Sequence, residues 1–597
     1  MSERKQANRY YVAESGHLEI SSWLFLLWRR SMPANFYRRR HFPMEILPPP
    51  CNPCSRKMGQ SRHTDRVSSD LTRHGLIVTM AAWLVLSIIA IAMVRQNLSA
   101  PGLYYDEAVF GGLAKDFVIG QKRLHMPGCE TVTMFNRRFP VFVEPYLGAL
   151  KCWMLIPAFT VFGASLAVLR LTSLFWAMLA VLFFMLGIRR WLGTWPAIAG
   201  GVMLTLDPAW FFLGVLDWGA AVPALFCRCL AFYFGSVWWR NRNAGCLLLG
   251  GLFLGLGVFN KIDLWVFVAA TGIAALCFYA QDLWEAIRSR WWVTTAACFA
   301  FLLPIVITLP RMGKVLAVVE QTPSLADELK EKLHTLLALY DGSYFYRLIN
   351  VGGLFNKMYD QPAAMYVPLW LVLAIAIVAV AGFVRDKRRL WAIGFLLTSL
   401  ILITAGVLLL PGAIRIHHAI LAFPFPQLII VTAFALLWNA TGKRFARRAV
   451  RIAAIASLIL LATAQVYTIA KTEKLIADTG GRGRWSNALD AFCRENKDRS
   501  DLVIASLDWG FNEQVAFLAD QPQLVEPFWA FPRYNGRLPT LPQRSRYIYL
   551  AHSPEYSLFG YDVSYLNELE TSGEVVDIQP HSDGQGQVVF YTIQFRE

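Results

Sequence analysis

Charged side chains are the scarcest feature of this sequence. Asp, Glu, Lys and Arg make up 16% of its 597 residues, against 56% for hydrophobic residues, whereas soluble globular proteins carry about 25% charged residues. The deficit falls between residues 75 and 470, where apolar runs alternate with short polar loops. Many of these runs reach the roughly 20 residues that a helix needs to cross a bilayer. The composition argues against a soluble all-α enzyme and predicts an α-helical polytopic membrane protein.

The sequence also lacks the cysteine pattern of a disulfide framework or a structural metal site. Cys51 and Cys54 form an isolated CxxC with no second pair, which argues against zinc binding there. Five of the ten cysteines lie within long apolar segments, where cysteine behaves as a small hydrophobic residue. These are Cys227, Cys229, Cys246, Cys277 and Cys298.

Eleven apolar segments are predicted to cross the membrane. They are 75–94, 168–188, 196–213, 219–238, 244–259, 263–280, 292–309, 364–384, 390–410, 416–439 and 450–470. A further apolar stretch, 146–162, is short, contains Lys151 and is interrupted by Pro157. We expect it to lie flat at the membrane interface as an amphipathic segment.

The distribution of basic residues supports this topology and explains the net charge of +16 without nucleic acid. Lys and Arg collect in cytoplasmic loops, because they resist translocation. With the N-terminus in the cytoplasm, the inner loops hold fifteen basic residues, whereas the three short outer loops hold only Lys261 and Arg415. Counting 146–162 as a span would put the basic loops outside.

Three regions follow from this topology. Residues 1–74 are predicted to be a basic cytoplasmic tail that is disordered, or an extension from a misassigned start codon, and 75–470 form the transmembrane domain. Its larger outer loops are 95–165 and 311–363. Residues 475–597 are polar, with strand-like runs at 502–507, 547–550 and 587–595 and helical patterns at 485–493 and 511–519. They predict a small α/β domain outside the membrane, and no catalytic spacing occurs in it. No signal-peptide pattern precedes the first span, so that span is expected to serve as the targeting signal.

Two adjacent carboxylates, Asp106 and Glu107, open the first outer loop after Tyr104 and Tyr105. The apolar spacing that follows predicts that Asp106 begins a helix on the membrane surface. One interpretation makes Asp106 an N-cap and Glu107 a first-turn acid favoured by the helix dipole. The other makes one of them a general base, whose pKa rises at a low-dielectric interface. The two interpretations are compatible.

Further polar residues are predicted to lie on the same outer surface: Asp207, Asp217, Lys261, Asp263, Arg415, His417 and His418. For Lys261 and Arg415 the structural alternative is snorkelling to the interface. Together, however, acids and cations suit one reaction. A carboxylate would deprotonate an acceptor hydroxyl, while cations bind a phosphate and the negative charge that it gains on leaving. A long-chain lipid phosphate would present its headgroup at this depth.

Five segments carry a resemblance to a known superfamily: YYDEAVFG (104–111), EPYLGALKCWMLIPAFTVFG with LAVLRLTS (144–173), LDPAWFFLGVLDWG (206–219), GLFLGLGVFNKIDLW (251–265) and IRIHHAILAFPFP (414–426). The chain resembles the GT-C glycosyltransferases that use polyprenyl-phosphate sugars, specifically the bacterial protein-O-mannosyltransferase (family 39) and aminoarabinose-transferase-like branch. One departure is that Glu144-Pro145 stands where the aminoarabinose branch has an acid–lysine–proline run.

The resemblance implies a GT-C-type bundle of about 11 transmembrane helices, with interfacial helices in the first outer loop. It implies an inverting transferase of the bacterial cell envelope, working at the outer face of the inner membrane. The partners implied are a polyprenyl-phosphate-linked sugar, membrane lipids and an acceptor protein, lipid or glycan. The roles implied are catalytic for Asp106, as the general base, and for Glu107; binding of the donor phosphate for Lys261, Arg415, His417 and His418; and binding of the substrate for Tyr105, Glu144, Asp207 and Asp217. No cofactor is expected with certainty, and a divalent cation held by the outer acids stays open.

Two alternatives to a transferase remain. A transporter or lipid flippase would place charged residues along the middle of its spans and often breaks its helices. Here the central parts of the spans are nearly free of charge, apart from Arg228. A noncatalytic scaffold for the C-terminal domain would not explain the paired acids or the GAIRIHH segment.

Overall fold

The computed structural model of the protein describes most of the chain after residue 60. The described residues are 61–94, 98–121, 128–216, 218–311, 313, 325–361, 369–384, 386–438, 444–499, 502–519, 523–525, 547–558, 560–572 and 576–595. The chain divides into two units, Met1–Ser69 and Asp70–Glu597, and the site discussed below belongs to the second. Most of the predicted N-terminal tail lies outside the described residues.

The transmembrane region is built from helices throughout. In chain order the described helices are α1 (Ser61–Val94), α2 (Tyr105–Ile119), α3 (Leu150–Phe162), α4 (Leu166–Leu192), α5 (Thr194–Thr205), α6 (Pro208–Leu216), α7 (Ala221–Asn241), α8 (Ala244–Asn260), α9 (Leu264–Ser289), α10 (Trp291–Val306), α11 (Leu325–Tyr340), α12 (Tyr344–Asn350), α13 (Phe355–Met358), α14 (Leu369–Phe383), α15 (Lys387–Leu409), α16 (Ile416–Ala419), α17 (Phe425–Trp438) and α18 (Arg444–Thr479). The first begins at Ser61, and its part that is apolar enough to span a membrane, Arg73–Val94, matches the predicted span 75–94.

Among the described residues, seven helices are long and apolar enough to cross a membrane, or eight if one bent pair counts as a span. Three shorter apolar helices, α8, α10 and α14, match the remaining predicted spans. The chain is therefore a multi-pass α-helical membrane protein, as predicted. The single span predicted at 196–213 was wrong in one respect, because α5 and α6 meet there at 65°.

Glycine lets α8 and α10 pack backbone against backbone. Gly251 and Gly255 lie one turn apart on α8, and a Cβ at Gly255 would stand 2.1 Å from the carbonyl oxygen of Phe301. Small residues spaced in this way allow close approach where lipid gives no hydrophobic drive to associate. Any larger side chain at Gly255 would push the two helices apart.

The two ends of the bundle differ in character. At one end, Arg240 donates a 2.9 Å hydrogen bond to the carbonyl of Arg190 in the neighbouring loop. At the other end, the ammonium of Lys151 donates a 3.1 Å hydrogen bond to the carbonyl of Gly219. Because α7 runs from just after Gly219 to Arg240, the basic loops and the predicted site lie at opposite ends of the same helix.

The loop before α4 holds a small sheet that the sequence did not predict. Strands β1 (Glu130–Met134), β2 (Arg137–Glu144) and β3 (Leu147–Gly148) pair in that order, all antiparallel. An isolated bridge from Leu147 to Lys261 joins β3 to the turn after α8. The stretch 146–162, predicted to lie flat, thus begins as the edge of a sheet and continues as α3, in which Lys151 is buried.

The C-terminal region forms the small α/β domain predicted for it. Its strands are β4 (Val503–Ser506), β5 (Gln523–Val525), β6 (Tyr547–His552), β7 (Val576–Ser582) and β8 (Val588–Phe595), and its helices are α19 (Ala488–Glu495), α20 (Phe511–Leu518) and α21 (Tyr561–Ser572). The sheet order is β5-β4-β6-β8-β7, with the first three parallel and the last two antiparallel to their neighbours. The three predicted strands are β4, β6 and β8, whereas β5 and β7 were not predicted.

This domain packs directly on α2 and the segment before it. The backbone N–H of Gly102 donates to the carbonyl of Trp485 at 2.8 Å, and Lys115 donates to the carbonyl of Phe517 at 2.6 Å. The rings of Tyr104 and Trp485 stack with centres 4.3 Å apart. The C-terminal domain therefore helps to fix the helix that carries Asp106.

Candidate active site

The position of Asp106 follows from how α2 begins. Tyr104 is the N-cap residue in extended conformation, and Asp106 is the second residue of the helix. The N-cap role predicted for Asp106 was therefore wrong. It is Glu107 that reaches back, because its carboxylate accepts the backbone N–H of Tyr104 at 3.0 Å. This leaves the Asp106 carboxyl group free of helix capping.

Glu107 forms an ion pair with Arg170 of α4. Two guanidinium nitrogens lie 2.9 Å from its two carboxylate oxygens, and the two side chains are 1% and 0% exposed. Arg170 also donates to the carbonyls of Pro101 and Gly102. Glu107 thus holds the first outer loop on the bundle, and the geometry favours a structural role over the catalytic one predicted for it.

Asp106 has a different environment, although it is the next residue. Its side chain is partly accessible, and it lies within electrostatic reach of Lys151, Glu144 and Lys261. Loss of hydration on burial raises the pKa of Asp106 to about 7. The nearby Glu144 raises this pKa further, whereas Lys151 and Lys261 lower it. A carboxyl group with a pKa near neutrality can accept a proton at the pH of most cell envelopes.

Lys261 lies at the centre of a compact polar group. Its ammonium is 3.0 Å from a carboxylate oxygen of Asp263 and 3.1 Å from Nδ1 of His418. The same ring nitrogen lies 2.9 Å from Asp263, so its tautomer decides which of the two bonds it forms. The carbonyl of His417 lies 3.4 Å from the same ammonium. We call Asp106, Lys151, Lys261, Asp263, His417 and His418 the mouth cluster.

Arg415 stands at the edge of the mouth cluster. It pairs with Glu331 of α11, and its guanidinium carbon lies 3.6 Å from the ring centre of Phe355. The ring of His417 bridges inward, with its centre 6.0 Å from the indole of Trp218. The sequence-predicted residues Asp106, Lys261 and Arg415 therefore lie at the same end of the bundle.

The remaining residues predicted to bind the substrate lie in different places. Glu144 ends β2 near Asp106, and burial raises its pKa. Tyr105 turns toward the C-terminal domain, where its ring centre is 3.9 Å from that of Trp509. Asp217 lies outside the described residues.

Asp207 begins α6 rather than joining the mouth cluster. One of its carboxylate oxygens accepts the backbone N–H groups of Ala209 and Trp210, each at 3.1 Å. The other receives the side-chain amides of Gln427 and Gln465 at 3.5 and 3.4 Å. These contacts make Asp207 a buried helix cap, and they give no support to the substrate role predicted for it.

Comparison with known proteins identifies the fold of the chain. No protein-family model matches the chain, and no curated protein matches its sequence. Among solved structures, ArnT from Cupriavidus metallidurans bound to undecaprenyl phosphate covers 87% of this chain and 97% of its own, with 12% identity and a TM-score of 0.51. The chain has the GT-C fold. ArnT in the apo state gives 12% identity, 87% and 98% coverage and a TM-score of 0.49. The archaeal oligosaccharyltransferase AglB from Archaeoglobus fulgidus has 13% identity and a TM-score of 0.45, and the match covers 75% of this chain and 64% of AglB.

Two residues at this end of the bundle were not singled out in the sequence analysis as part of a site. Lys151 is buried on α3, with its ammonium 4.9 Å from the ring centre of Phe110. The signal was a lysine in an apolar stretch, which was used only to reject a span. Trp218 contacts Tyr104, His417 and Trp485, and no sequence pattern distinguished it from the other tryptophans.

One group of described residues has the composition of a metal site, and it lies in the C-terminal domain. The ligand atoms of Asp508, His552 and Asp562 lie within 4.8 Å of one another. However, the guanidinium of Arg484 lies 3.1 Å from Asp508 and 3.2 Å from His552. Although burial raises the pKa of Asp508, His552 and Arg484 outweigh it and lower that pKa to about 2. The cluster already contains its cation, so these residues fit an ion-pair network better than a metal ion.

Proposed function

We propose that this protein is a membrane glycosyltransferase that moves a sugar from a polyprenyl-phosphate donor to an acceptor hydroxyl, with inversion. The observation that carries the proposal is the Asp106 carboxyl group, which is partly accessible, has a raised pKa and lies within electrostatic reach of the cation Lys261 at one end of a GT-C bundle. The fold is that of ArnT, whose structure holds undecaprenyl phosphate. This supports a lipid phosphate as the donor here.

The reaction is a single displacement at the sugar. Asp106 accepts the proton of the acceptor hydroxyl as its oxygen attacks the anomeric carbon. The bond from that carbon to the phosphate oxygen breaks, and the electron pair stays on the phosphate. Attack opposite the leaving group inverts the anomeric centre. The carboxylate and the leaving group must therefore lie on opposite sides of the sugar.

Lys261 and Arg415 would stabilise the phosphate as it gains charge. Both already have acidic partners, Asp263 and Glu331. A guanidinium has five donors, so Arg415 can hold Glu331 and still donate to a phosphate oxygen. The ammonium of Lys261 has three, and one is left for phosphate when Nδ1 of His418 is protonated and donates to Asp263. The acids keep the cations in place in the absence of the donor.

The side of the membrane follows from charge. The loops rich in Arg lie at the end of the bundle opposite the mouth cluster. Because basic loops stay in the cytoplasm, this arrangement supports a location of Asp106 and the C-terminal domain outside it. For a bacterium this means the periplasmic face of the inner membrane.

One observation favours the alternative of a transporter. The α5–α6 pair is a broken helix, a feature common in transporter binding sites. Its break, however, is filled by Asp207, which caps α6 and is satisfied by protein groups. The transferase is the better supported function.

The test is transfer by the purified full-length protein, supplied with a set of undecaprenyl-phosphate sugars and an envelope extract as acceptor. Mass spectrometry of envelope lipids and glycoproteins from cells with and without the protein identifies the product. Asp106→Asn should lower transfer by 10²–10⁴-fold. Asp116→Asn, on the same helix, is the matched control and should keep activity. If Asp106→Asn retains more than about a tenth of the activity, Asp106 is not the base.

A further inference from the structure

Arg228 is a charged residue within a membrane-spanning helix. It lies on α7, which is long and apolar enough to span the membrane, and its residue is 3% exposed. An arginine at the centre of a spanning helix costs about 2.5–3.5 kcal/mol by insertion scales. Such residues are rare and usually face a functional site.

The contacts of Arg228 do not neutralise its charge. One terminal nitrogen donates a long, 3.4 Å hydrogen bond to the carbonyl of Ile420, and the guanidinium carbon lies 5.6 Å from the ring centre of Phe267. Its Nε is buried and has no hydrogen-bond partner among the described residues. Arg228 also forms no ion pair with any acidic side chain that the structure describes. Its positive charge and one donor are therefore unused.

The guanidinium lies just beneath the mouth cluster. Asn260, which precedes Lys261, donates to the carbonyl of Ala220 at 2.9 Å, so Lys261 is level with the start of α7. Arg228 is about 10 Å further along that helix. Its long side chain reaches the carbonyl of Ile420, two residues after His418. Asp263 of the mouth cluster lies within electrostatic reach of it.

We propose that Arg228 is the inner cation of the phosphate site, binding a phosphate oxygen of the polyprenyl lipid from the hydrocarbon side. This inference rests on the proposed function. The donor is a phosphodiester with one negative charge, whereas the released polyprenyl phosphate carries about −1.5 to −2 at neutral pH. A cation with unused charge stabilises the second state more than the first. Arg228 therefore acts mainly on the leaving group, which is where a cation accelerates the reaction.

A structural role and a phosphate-binding role for Arg228 predict opposite effects of neutral variants on thermal stability. If Arg228 serves to tie α7 to the turn at Ile420, neutral variants should lower the thermal stability of the lipid-free protein. If Arg228 waits for an anion, removing an uncompensated buried charge should leave that stability unchanged or raise it. The stabilisation by lipid phosphate should be lost in either neutral variant.

The experiment measures thermal unfolding of the full-length protein in detergent, with undecaprenyl phosphate, undecaprenol or inorganic phosphate added. The variants are Arg228→Met and Arg228→Gln; the glutamine keeps a donor for Ile420 if the methionine variant does not fold. Arg228→Lys restores the charge, and Cys229→Ala, its neighbour on α7, is the control.

The wild-type protein should be stabilised by undecaprenyl phosphate and much less by undecaprenol or inorganic phosphate. Both neutral variants should bind undecaprenyl phosphate about 10–100-fold more weakly, with partial recovery in Arg228→Lys. Equal binding by wild type and a neutral variant overturns the role of Arg228. If undecaprenyl phosphate does not stabilise the wild-type protein, it is the proposed function that fails.

Discussion

The two adjacent acids of α2 give the sharpest test of how this site is built. Glu107→Gln keeps the shape of the side chain and an oxygen for the N–H of Tyr104, but it removes the charge that faces Arg170. Both partners are almost completely buried. Breaking a buried pair by removing one charge typically costs 3–5 kcal/mol, since the other charge remains uncompensated. Because Arg170 also has the carbonyls of Pro101 and Gly102, we expect about 3 kcal/mol, at the lower end of that range.

The assay is thermal unfolding of purified variants, paired with a transfer assay at a temperature where each is folded. Glu107→Gln should lower the melting temperature by several degrees and retain most transfer per folded molecule. Asp106→Asn, one residue away, should keep the melting temperature and lose transfer. The reverse pattern, with Glu107→Gln stable and inactive and Asp106→Asn active, would refute the division of roles between these two acids.

Two further predictions concern the reaction itself. Burial raises the pKa of Asp106 to about 7, and only the ionised carboxylate accepts a proton. We therefore expect kcat/KM to fall about tenfold per pH unit below 7 and to level off above it. A flat profile between about pH 5.5 and 8 would contradict Asp106 as the base. Arg415→Ala should raise the KM for the lipid donor about tenfold and change that for the acceptor little, because its guanidinium is placed for phosphate; equal loss for both substrates counts against this role, and Lys357→Ala, which pairs with Glu555 at the surface, is the control.

The helical architecture could be predicted from the sequence because lipid imposes a simple rule. Every backbone group must be satisfied within its own segment, so runs of apolar residues become helices. The error at 196–213 had a local signal in Asp207-Pro208, since Asp is a favoured N-cap and Pro a favoured first helical residue. Hydropathy averages over such a pair and reads one continuous span.

The partnerships within the site could not be predicted in the same way. Glu107 and Arg170 are neighbours only because α2 packs beside α4, and nothing in either segment announces the other. Lys151 comes within electrostatic reach of Asp106 for a similar reason, because α3 packs directly on α2. A single sequence shows which residues are chemically able to act, whereas folding decides which of them remain free to do so.

That distinction separates the two adjacent acids at the mouth, of which we propose only Asp106 as the base. Position along α2 turns Glu107 back toward the bundle, where it is buried in an ion pair with Arg170. Asp106 instead faces Lys151 and Lys261, which attract its ionised form but do not outweigh its loss of hydration. The C-terminal domain contacts the start of α2 by stacking Trp485 on Tyr104, and both residues are buried. The domain therefore helps to hold the helix that carries Asp106 in place, and none of its residues is proposed to touch the substrate.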